Sequence, residues 1–391
     1  MKSQLFTLIF LFFSSVFYAQ IDIKFETILE NGKQDESAHL FFFDDYFVCI
    51  SYSLEDSILQ TPNVNEKVFI FRKLDYNGNI ISIKKFQHDT ISIKSYNTIE
   101  SLEIYPIFYK NKFVIFTEGN AEDKHECNFG EYGSEPISVY TFDENFNFIS
   151  KSSLCYPITM AINRFKQIGN RVFFTGFLAG NNWLTPAILS YNLITKETSE
   201  NYYDGYGIIK DIIITNSGYE FFGFKFFPQC LGTCVTNSFM GNNWLCKTDY
   251  NLNLTHSHEF KFVNRMIPFR FEKTGGTDND YLMFFKRDNY HTSGFYRYKS
   301  GSLVFTNIDK SYNNLINYFK DDNSNIYLIR KHDKNKTCYI EATRNEKTIW
   351  KYNIADYLVD NAKVIKHKDT YYLTTLSSYP RTLTIKALTI N

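Results

Sequence analysis

Residues 67–86, KVFIFRKLDYNGNIISIKKF, read as a strand, a tight turn and a second strand. Both flanks are rich in β-branched and aromatic residues, which favour strands. Asn77 and Gly78 lie between the flanks, and an Asn-Gly pair supplies the positive φ angles that a two-residue hairpin turn needs. We therefore predict a β-hairpin here. Looser copies of the same pattern recur towards the C-terminus.

The first 19 residues have the features of a secretory signal peptide. Lys2 gives a basic start, Leu5–Phe17 is apolar, and Ala19 is a small residue at a suitable cleavage point. A membrane anchor is the alternative, but the apolar run is shorter than the roughly 20 residues that span a bilayer. We predict a mature chain, residues 20–391, that is exported to the periplasm or the cell exterior and has no transmembrane segment.

The composition favours a large folded protein that does not bind nucleic acid. The chain has 42 basic and 42 acidic residues, so its formal net charge is zero. Nucleic-acid-binding proteins usually carry a basic face. Aromatic residues make up 18% of the chain, whereas disordered chains have few of them.

Hairpins of a second kind recur seven times along the chain. Each has a short polar turn followed by an aromatic or apolar strand. These strands begin at Tyr46, Phe113, Val172, Tyr219, Tyr281, Ile326 and Tyr371. Seven units across the mature chain average about 53 residues, near the ~50 of kelch blades. Four short strands per unit fit a β-propeller blade.

The sequence therefore predicts an all-β fold: a single seven-bladed β-propeller with four-stranded blades over residues 20–391. The last unit has only about three strands, and an extra strand, Ile21–Ile28, opens the mature chain. We predict that this N-terminal strand completes the last blade and removes an open sheet edge. Two or three β-sandwich domains are the competing fold, but no linker rich in Pro, Gly or Ser divides the chain.

The clearest repeat is exact, because Gly180–Leu184 and Gly241–Leu245 both read GNNWL. We predict that Trp183 and Trp244 begin equivalent strands of different blades. Packing between blades is the expected role of the two indole rings, and a platform for stacking sugars is the alternative.

Two stretches resemble a known type of repeat. Residues 73–79, KLDYNGN, and residues 244–253, WLCKTDYNLN, are similar to the repeat of exported Bacteroidetes-type bacterial β-propellers. In that repeat a Trp-Leu strand is followed by Lys, an Asp and an Asn-Gly-Asn turn. The resemblance implies a propeller fold and an exported binding module, and it carries no functional residue over to this chain. Most units here lack the Trp, which departs from the family's pattern.

The long connections are those between second and third strands, at 55–65, 118–135 and 228–241. In a propeller they emerge on one face, and long loops on a rigid scaffold often carry function. The second of them is rich in acidic residues. Its candidate ligand-binding residues are Glu118, Asp123, His125, Glu126, Glu131 and Glu135. Such a cluster could bind Ca²⁺ or supply an acid/base pair, and a solvated acidic loop is the plainer interpretation.

The cysteines allow two disulfides. Cys230 and Cys234 are close enough in sequence to close a small ring, and Cys127 and Cys155 are both expected near the long-loop face. Export makes disulfides permissible. The other three cysteines fall in predicted strands and are expected to be small buried residues: Cys49, Cys246 and Cys338.

We predict a non-catalytic binding or scaffold module whose protein or glycan ligand binds on the long-loop face. No cofactor is expected, apart from the Ca²⁺ that the acidic loop could take. The sequence has no Gly-x-Ser-x-Gly elbow, His-Glu-x-x-His pair, phosphate loop or dinucleotide fingerprint. The alternative is an extracellular hydrolase or lyase acting on polysaccharide or peptide, with carboxylates from the 118–135 loop.

Overall fold

The computed structural model shows an all-β chain built from four-stranded antiparallel sheets. It describes residues 21–29, 35–56, 64–92, 104–118, 136–155, 160–180, 183–226, 241–261, 266–273, 281–287, 293–299, 302–306, 313–320, 326–332, 337–344, 347–355, 359–377 and 382–390. These residues contain 28 strands in seven sheets and no helix, so none of them forms a helix that could cross a membrane. The predicted signal peptide, residues 1–19, lies outside them.

In six sheets the strands follow one another in chain order, from a first strand at one edge to a fourth at the other. The first strands are β2 (Asp35–Phe42), β6 (Tyr105–Tyr109), β10 (Met160–Ile168), β14 (Gly207–Thr215), β18 (Met266–Lys273), β22 (Asn313–Lys320) and β26 (Val359–His367). The second strands are β3 (Tyr46–Asp56), β7 (Lys112–Glu118), β11 (Arg171–Gly180), β15 (Gly218–Phe226), β19 (Tyr281–Arg287), β23 (Ile326–His332) and β27 (Thr370–Ser377). Every strand predicted from the aromatic repeats is one of these second strands.

The third strands are β4 (Val64–Asp75), β8 (Ile137–Asp143), β12 (Trp183–Asn192), β16 (Gly241–Thr248), β20 (Ser293–Lys299), β24 (Thr337–Arg344) and β28 (Leu383–Ile390). The fourth strands of six sheets are β5 (Ile80–Ser92), β9 (Phe148–Leu154), β13 (Thr198–Tyr202), β17 (Leu254–Lys261), β21 (Ser302–Thr306) and β25 (Lys347–Ala355). We number the sheets 1 to 7 in the order of their first strands.

Sheet 7 takes its fourth strand from the N-terminal end of the described residues. This strand, β1 (Ile21–Leu29), pairs antiparallel with β28, from Ile21 opposite Ile390 to Leu29 opposite Leu383. The pairing agrees with the expectation that the N-terminal strand adds to the last unit. It covers the edge of β28, which would otherwise expose unpaired backbone groups.

Each sheet has two ends, which we name by their connections. At the turn face the first strand connects to the second and, in sheets 1 to 6, the third to the fourth; in sheets 1 to 4 these connections are short turns of two to five residues. At the loop face, the second strand connects to the third. Turns of sheets 2, 3 and 4 touch at the turn face: the Tyr109 hydroxyl donates to the Asn170 side-chain oxygen over 3.1 Å, and the Arg171 guanidinium donates to the Tyr250 carbonyl oxygen over 3.2 Å. The turn faces of these three sheets therefore lie on one side of the molecule.

Buried side chains form clusters that join successive sheets. One cluster joins sheets 1 and 2, another joins 2 and 3, a third joins 3 and 4, and a fourth joins 6 and 7. Phe222 and Phe271 connect sheets 4 and 5, with ring centroids 5.6 Å apart. Cα atoms of β20 and β22 approach within 8 Å, so sheet 5 lies beside sheet 6. The many aromatic residues thus fill the spaces between sheets.

A fifth cluster joins sheets 7 and 1 and brings the two ends of the chain together. Phe47 of β3 is fully buried. Its ring centroid lies 6.2 Å from that of Phe25 on β1 and 5.5 Å from that of Tyr372 on β27. Leu29 and Ile385 are buried in the same cluster. The first sheet therefore packs directly against the last.

The turn of the hairpin at 67–86 is longer than predicted. The Gly78 N–H donates to the Asp75 carbonyl oxygen and the Asp75 N–H to the Asn79 carbonyl oxygen, both over 3.0 Å. Within this turn only Gly78 has a positive φ, +85°. The loop therefore has three residues, Tyr76 to Gly78, and the prediction of a two-residue turn is wrong. The Asp75 carboxylate explains the difference, because it accepts the Asn77 and Asn79 N–H groups over 2.9 and 2.8 Å and so stabilises the wider loop.

The same turn recurs in sheets 2 and 4, where the sequence also reads Asp-x-Asn-x-Asn. The carboxylates of Asp143 and Asp249 accept the backbone N–H groups two and four residues on and the Asn side chain four residues on. The pKa of each of these two carboxyls is lowered, and the hydrogen bond from the Asn side chain is the largest cause. Phe146 and Leu252 have positive φ angles of +62° and +67°, and burial of both side chains offsets the strain.

We expect Gly78→Ala to destabilise the chain. A Cβ atom at Gly78 would lie 2.5 Å from a ring carbon of Phe25 and 2.5 Å from the Thr27 hydroxyl oxygen, both on β1. The free energy of unfolding, measured by urea titration, should fall by about 2 kcal/mol. Gly169→Ala is the control, because its φ is also positive, +58°, but no atom lies within 4 Å of the new Cβ. Equal losses in the two variants would contradict the contact between this turn and β1.

The two GNNWL copies are out of register. When positions are counted back from the turn that follows each strand, Trp244 of β16 corresponds to Ala187 of β12. Trp244 lies opposite Gly223 of β15, and Ala187 lies opposite Gly176 of β11. Trp183 lies four residues before Ala187, at the start of β12. The two tryptophans therefore lie in equivalent third strands, as predicted, but not at equivalent positions, because Trp183 begins β12 whereas Trp244 is the fourth residue of β16. Hairpin turns and the alternation of core side chains set a strand's register, and a five-residue identity does not fix it.

Candidate functional site

Most of the predicted ligand-binding residues lie outside the described part of the chain. These are Asp123, His125, Glu126, Glu131 and Glu135. Glu118 is the last residue of β7 and is paired with Ile137 of β8. The 118–135 segment thus starts on the loop face, where the end of β7 is still paired with the start of β8. Within the described residues no group of three or more His, Cys, Asp or Glu side chains is arranged to hold a metal ion, and the Ca²⁺ site in the loop stays a prediction.

The three cysteines in strands are buried, as predicted, and are outside any disulfide: Cys49, Cys246 and Cys338. Burial raises the pKa of the Cys246 thiol. Cys155 is disulfide-bonded. Its predicted partner, Cys127, lies outside the described residues, and so do Cys230 and Cys234. Both predicted pairings therefore stay predictions.

Trp244 is a packing residue and not a platform for sugars. Its side chain is 1% exposed, and its ring centroid lies 5.0 Å from that of Phe221. The indole N–H donates to the Ser257 hydroxyl over 2.8 Å, and the Lys225 amine lies 4.6 Å from the ring centroid. These contacts leave no face of the ring for a sugar.

A cluster of charged side chains connects the first strands of sheets 3, 4 and 5. Asp211 on β14 is fully buried. Its Oδ1 atom lies 3.2 Å from Arg164 Nε and 3.3 Å from Lys166 Nζ, both on β10. The carboxylate also accepts the Ile212 N–H over 2.9 Å and the Phe271 N–H of β18 over 3.4 Å, which is a longer and weaker bond. One carboxylate thus links three sheets.

A β-bulge places the charged side chains of this cluster. The pairing of β14 with β15 shifts between Ile209 and Asp211, and the pairing of β10 with β11 shifts between Ile162 and Arg164. A bulge re-aims the side chains beside it and increases the local twist. Asp211 and Arg164 are therefore equivalent residues of neighbouring first strands. Corresponding shifts occur in β2, β18, β22 and β26, so the bulge is a repeated feature of the sheets.

Tyr105 of β6 borders the charged cluster from sheet 2. Its hydroxyl oxygen accepts the Gln167 N–H over 2.8 Å, and its ring stacks on Phe165 with centroids 5.6 Å apart. Burial raises the pKa of this phenol, and the negative charge of Asp211 adds to the rise. The hydroxyl therefore stays protonated at neutral pH.

The arrangement of the charged cluster favours a structural role, the connection of sheets, over a role in acid–base catalysis. The side chains of Arg164 and Lys166 are 25% and 22% exposed, whereas that of Asp211 is 0% exposed. A general acid or base must reach its substrate directly or through one water. The Asp211 carboxylate is instead surrounded by two cations and two backbone N–H groups. We interpret the cluster as a polar connection between first strands.

A second polar contact joins the first strands of sheets 7 and 1. The Lys363 amine on β26 lies 3.3 Å from His39 Nε2 on β2 and donates to the Ala38 carbonyl oxygen over 3.4 Å. Burial and then the Lys363 charge lower the pKa of His39 well below its usual value. The imidazole is therefore neutral at neutral pH, and its Nε2 can accept the Lys363 hydrogen bond.

Sequence reasoning missed Asp211 and its two cations. A signal was present, because Lys210 and Asp211 interrupt the isoleucines of Ile208–Ile214. A charged residue in a largely apolar strand needs a partner when it is buried. The identity of the partner had no local signal, since Lys166 lies 45 positions away in the chain.

Comparisons with known proteins show the fold. No protein-family model and no curated protein matches the sequence, so the likeness to exported Bacteroidetes-type propellers stays a resemblance. The β-propeller domain of the Trilobed protease from Pyrococcus furiosus, described as having an open velcro topology, matches with a TM-score of 0.52 and 8% identity over 90% of this chain and 94% of that chain.

Two further solved structures match to a similar degree. The Cps50 (Swd1) β-propeller domain of Myceliophteria thermophila has a TM-score of 0.51 and 8% identity over 95% of this chain and 100% of that chain. The polysaccharide lyase Uly1 has a TM-score of 0.51 and 11% identity over 93% of this chain and 91% of that chain. Identities this low show the fold alone. The chain has a β-propeller fold.

Proposed function

We propose that the chain is an exported, closed seven-bladed β-propeller that acts as a non-catalytic binding or scaffold module. The proposal takes each four-stranded sheet as one blade and the packing of sheet 7 on sheet 1 as the closure of the ring. The first strands would then line the central channel, and β1 would complete the seventh blade. The signal-peptide features of residues 1–19 and the disulfide-bonded Cys155 support export to an oxidising compartment.

The proposed ligand, a protein or a glycan, binds on the loop face. Three of the connections there are long: 57–63, 119–136 and 227–240. By contrast, only residues 181 and 182 connect β11 to β12. Long loops presented by a rigid scaffold are a common site of binding. This difference between the long connections and the short turns of the opposite face is the observation that carries the proposal.

An extracellular hydrolase or lyase acting on polysaccharide or peptide is the second candidate. The acidic 118–135 segment supplies candidate carboxylates and is anchored where Glu118 pairs with Ile137. A polysaccharide lyase is among the solved structures of similar fold, and that likeness reaches no further than the fold. A glycosidase would need two carboxyl groups about 5–10 Å apart beside the scissile bond.

Shortening one long connection tests the proposal. In the loop variant, Asn-Gly replaces residues 119–136, because Glu118 and Ile137 are cross-strand partners that a two-residue turn can join. Two residues also separate Gly180 from Trp183, which pair with each other in the same way. The replacement removes Cys127, so the loop variant also carries Cys155→Ser, and Cys155→Ser alone is the control.

Binding to glycan and protein arrays is the measurement for the loop variant. We expect the wild type and the Cys155→Ser control to bind the same array members. The loop variant should bind them at least about tenfold more weakly, a loss of about 1.4 kcal/mol. Unchanged binding would contradict a ligand on this loop. Release of shortened products from the bound glycans or peptides, followed by mass spectrometry, would favour the hydrolase or lyase.

A further inference from the structure

A group of lysines lies on the turn face between sheets 2 and 3, opposite the face proposed for the ligand above. Lys110 is in the turn between β6 and β7, Lys112 begins β7, and Lys196 is in the turn between β12 and β13. All three residues are exposed. We call them the basic patch. We propose that the basic patch binds an anionic polysaccharide, whose sulfate or carboxylate groups contact the three amines.

Contacts between sheets 2 and 3 fix the position of the basic patch. Asn170, in the turn between β10 and β11 of sheet 3, makes one contact with sheet 2 and one with a neighbouring turn of its own sheet. Its side-chain oxygen accepts the Tyr109 hydroxyl over 3.1 Å, and its carbonyl oxygen accepts the Leu193 N–H over 2.8 Å. Tyr109 also packs against the apolar cluster that contains Tyr191 and Leu193. The turns that carry the lysines are therefore held together by one residue.

Tyrosine rings lie beneath two of the amines. The Lys110 amine lies 5.5 Å from the ring centroid of Tyr109, and the Lys196 amine lies 5.6 Å from that of Tyr191. A cation within about 6 Å of a ring centroid is attracted to the face of the ring. These contacts restrict the amines to the surface of the two sheets, where an anion can reach them.

The amines of the basic patch have no carboxylate partner within the part of the chain that the structure describes. Asp143 lies opposite Lys112 in the strand pairing, but its carboxylate oxygens accept hydrogen bonds from its own turn. Burial is the largest cause that lowers the pKa of Lys196, and the charges of Lys112 and Lys110 lower it further. The charges of Lys110 and Lys112 therefore disfavour the positive charge of Lys196, and an anion bound between the amines would relieve this repulsion.

The backbone gives an independent indication that these lysines have a function. Lys110 and Lys196 have positive φ angles of +49° and +65°. This conformation is unfavourable for lysine, whereas Gly or Asn adopts it more readily. The turns would therefore form more easily without lysine at either position. Unfavourable backbone conformations of this kind are found preferentially at functional sites.

A linear anionic polymer fits the basic patch better than a single small anion. The amines come from turns of two different sheets, so they are spread along the boundary between the sheets. Lysine is a flexible point charge and does not impose the two-pronged geometry of arginine. The half-buried ring of Tyr109 beside them offers an apolar surface on which a sugar ring can lie. Because the whole chain has no net charge, the attraction is local to the patch.

Binding of a labelled heparin oligosaccharide, a sulfated polysaccharide, tests the proposal. The affinity of the purified mature chain is measured by fluorescence anisotropy at low and at physiological salt. The patch variant is Lys110→Gln, Lys112→Gln and Lys196→Gln in one chain. The control variant removes the same charge from fourth strands, through Lys85→Gln, Lys151→Gln and Lys351→Gln. Circular dichroism and thermal unfolding confirm that both variants fold.

We expect the patch variant to bind heparin on the order of tenfold more weakly than the wild type, because each exposed charge pair contributes modestly. The control variant should bind like the wild type. An equal loss in the two variants, or a wild type that does not bind heparin, would overturn the proposal. Tighter binding of polyglutamate or of anionic lipid vesicles than of heparin would overturn the assignment to a polysaccharide.

Two substitutions of Tyr109 test the contact with the sugar. Tyr109→Phe removes the hydroxyl that donates to Asn170 but keeps the ring and its packing on the cluster between sheets 2 and 3, so it should keep most of the heparin binding. Tyr109→Leu should weaken it, and equal affinities for the two would overturn the role of the ring. The shortened-loop variant leaves the turn face intact and should bind heparin like its Cys155→Ser control. Failure of the loop-face proposal and failure of this one are therefore distinguishable.

Discussion

Deletion of β1, residues 21–29, should remove most of the stability of the protein. The deletion exposes the edge of β28 and takes Phe25 and Leu29 out of the cluster between sheets 7 and 1. Burial of a Phe or Leu side chain contributes about 1.5–3 kcal/mol. The ion pair between Glu26 and Lys386, 3.1 Å long, is lost as well. We expect the free energy of unfolding, measured by urea titration, to fall by about 5 kcal/mol.

Point substitutions on β1 provide the control for this deletion. Leu29 is 2% exposed, whereas the neighbouring Ile28 is 56% exposed. Leu29→Ala should lower the free energy of unfolding by about 3 kcal/mol. Ile28→Ala should lower it by less than about 1 kcal/mol. Similar losses at the two positions, or a truncated chain as stable as the full one, would contradict the packing of β1 described above.

Asp211→Ala should have the second large effect. It leaves Arg164 and Lys166 beside each other without the buried carboxylate that lies between them. Removal of one partner from a buried ion pair costs about 3–5 kcal/mol. Because the two cations are 25% and 22% exposed, we expect the lower end, about 3 kcal/mol, from urea unfolding curves.

An exposed ion pair is the control for Asp211. Glu259 is 41% exposed and lies 3.0 Å from the Lys225 amine. Glu259→Gln should cost about 1 kcal/mol or less. Adding Lys166→Met to Asp211→Ala should restore part of the stability, because it removes one of the two repelling charges. A loss at Asp211 no larger than that at Glu259 would show that the carboxylate does not connect the sheets.

The strands could be predicted from the sequence because hairpin signals are local. Polar turns before aromatic runs located the second strand of each sheet, and the extra strand predicted at Ile21–Ile28 correctly predicted the pairing of β1 with β28. The length of the turn at Asn77 could not be predicted from the Asn-Gly rule. The Asp75 carboxylate accepts two backbone N–H groups and so stabilises a three-residue loop in place of the two-residue turn.

The contacts between sheets were much harder to predict. The Asp211 cluster depends on bulges in two strands and on residues 45 positions apart. The basic patch depends on two turns that only the packing of sheets 2 and 3 brings together. The exact repeat at Trp183 and Trp244 was misleading, because identity over five residues does not set the register of a strand.

Amide hydrogen exchange in β28 tests the proposed closure of the propeller most directly. Paired with both β27 and β1, this strand has no free edge. We predict that residues 383–390 of the mature chain exchange slowly, and that deletion of residues 21–29 abolishes the protection of those amides that face β1. Fast exchange at residues 21–29 and at alternate residues of β28 in the intact mature chain would contradict the closure of the ring by β1.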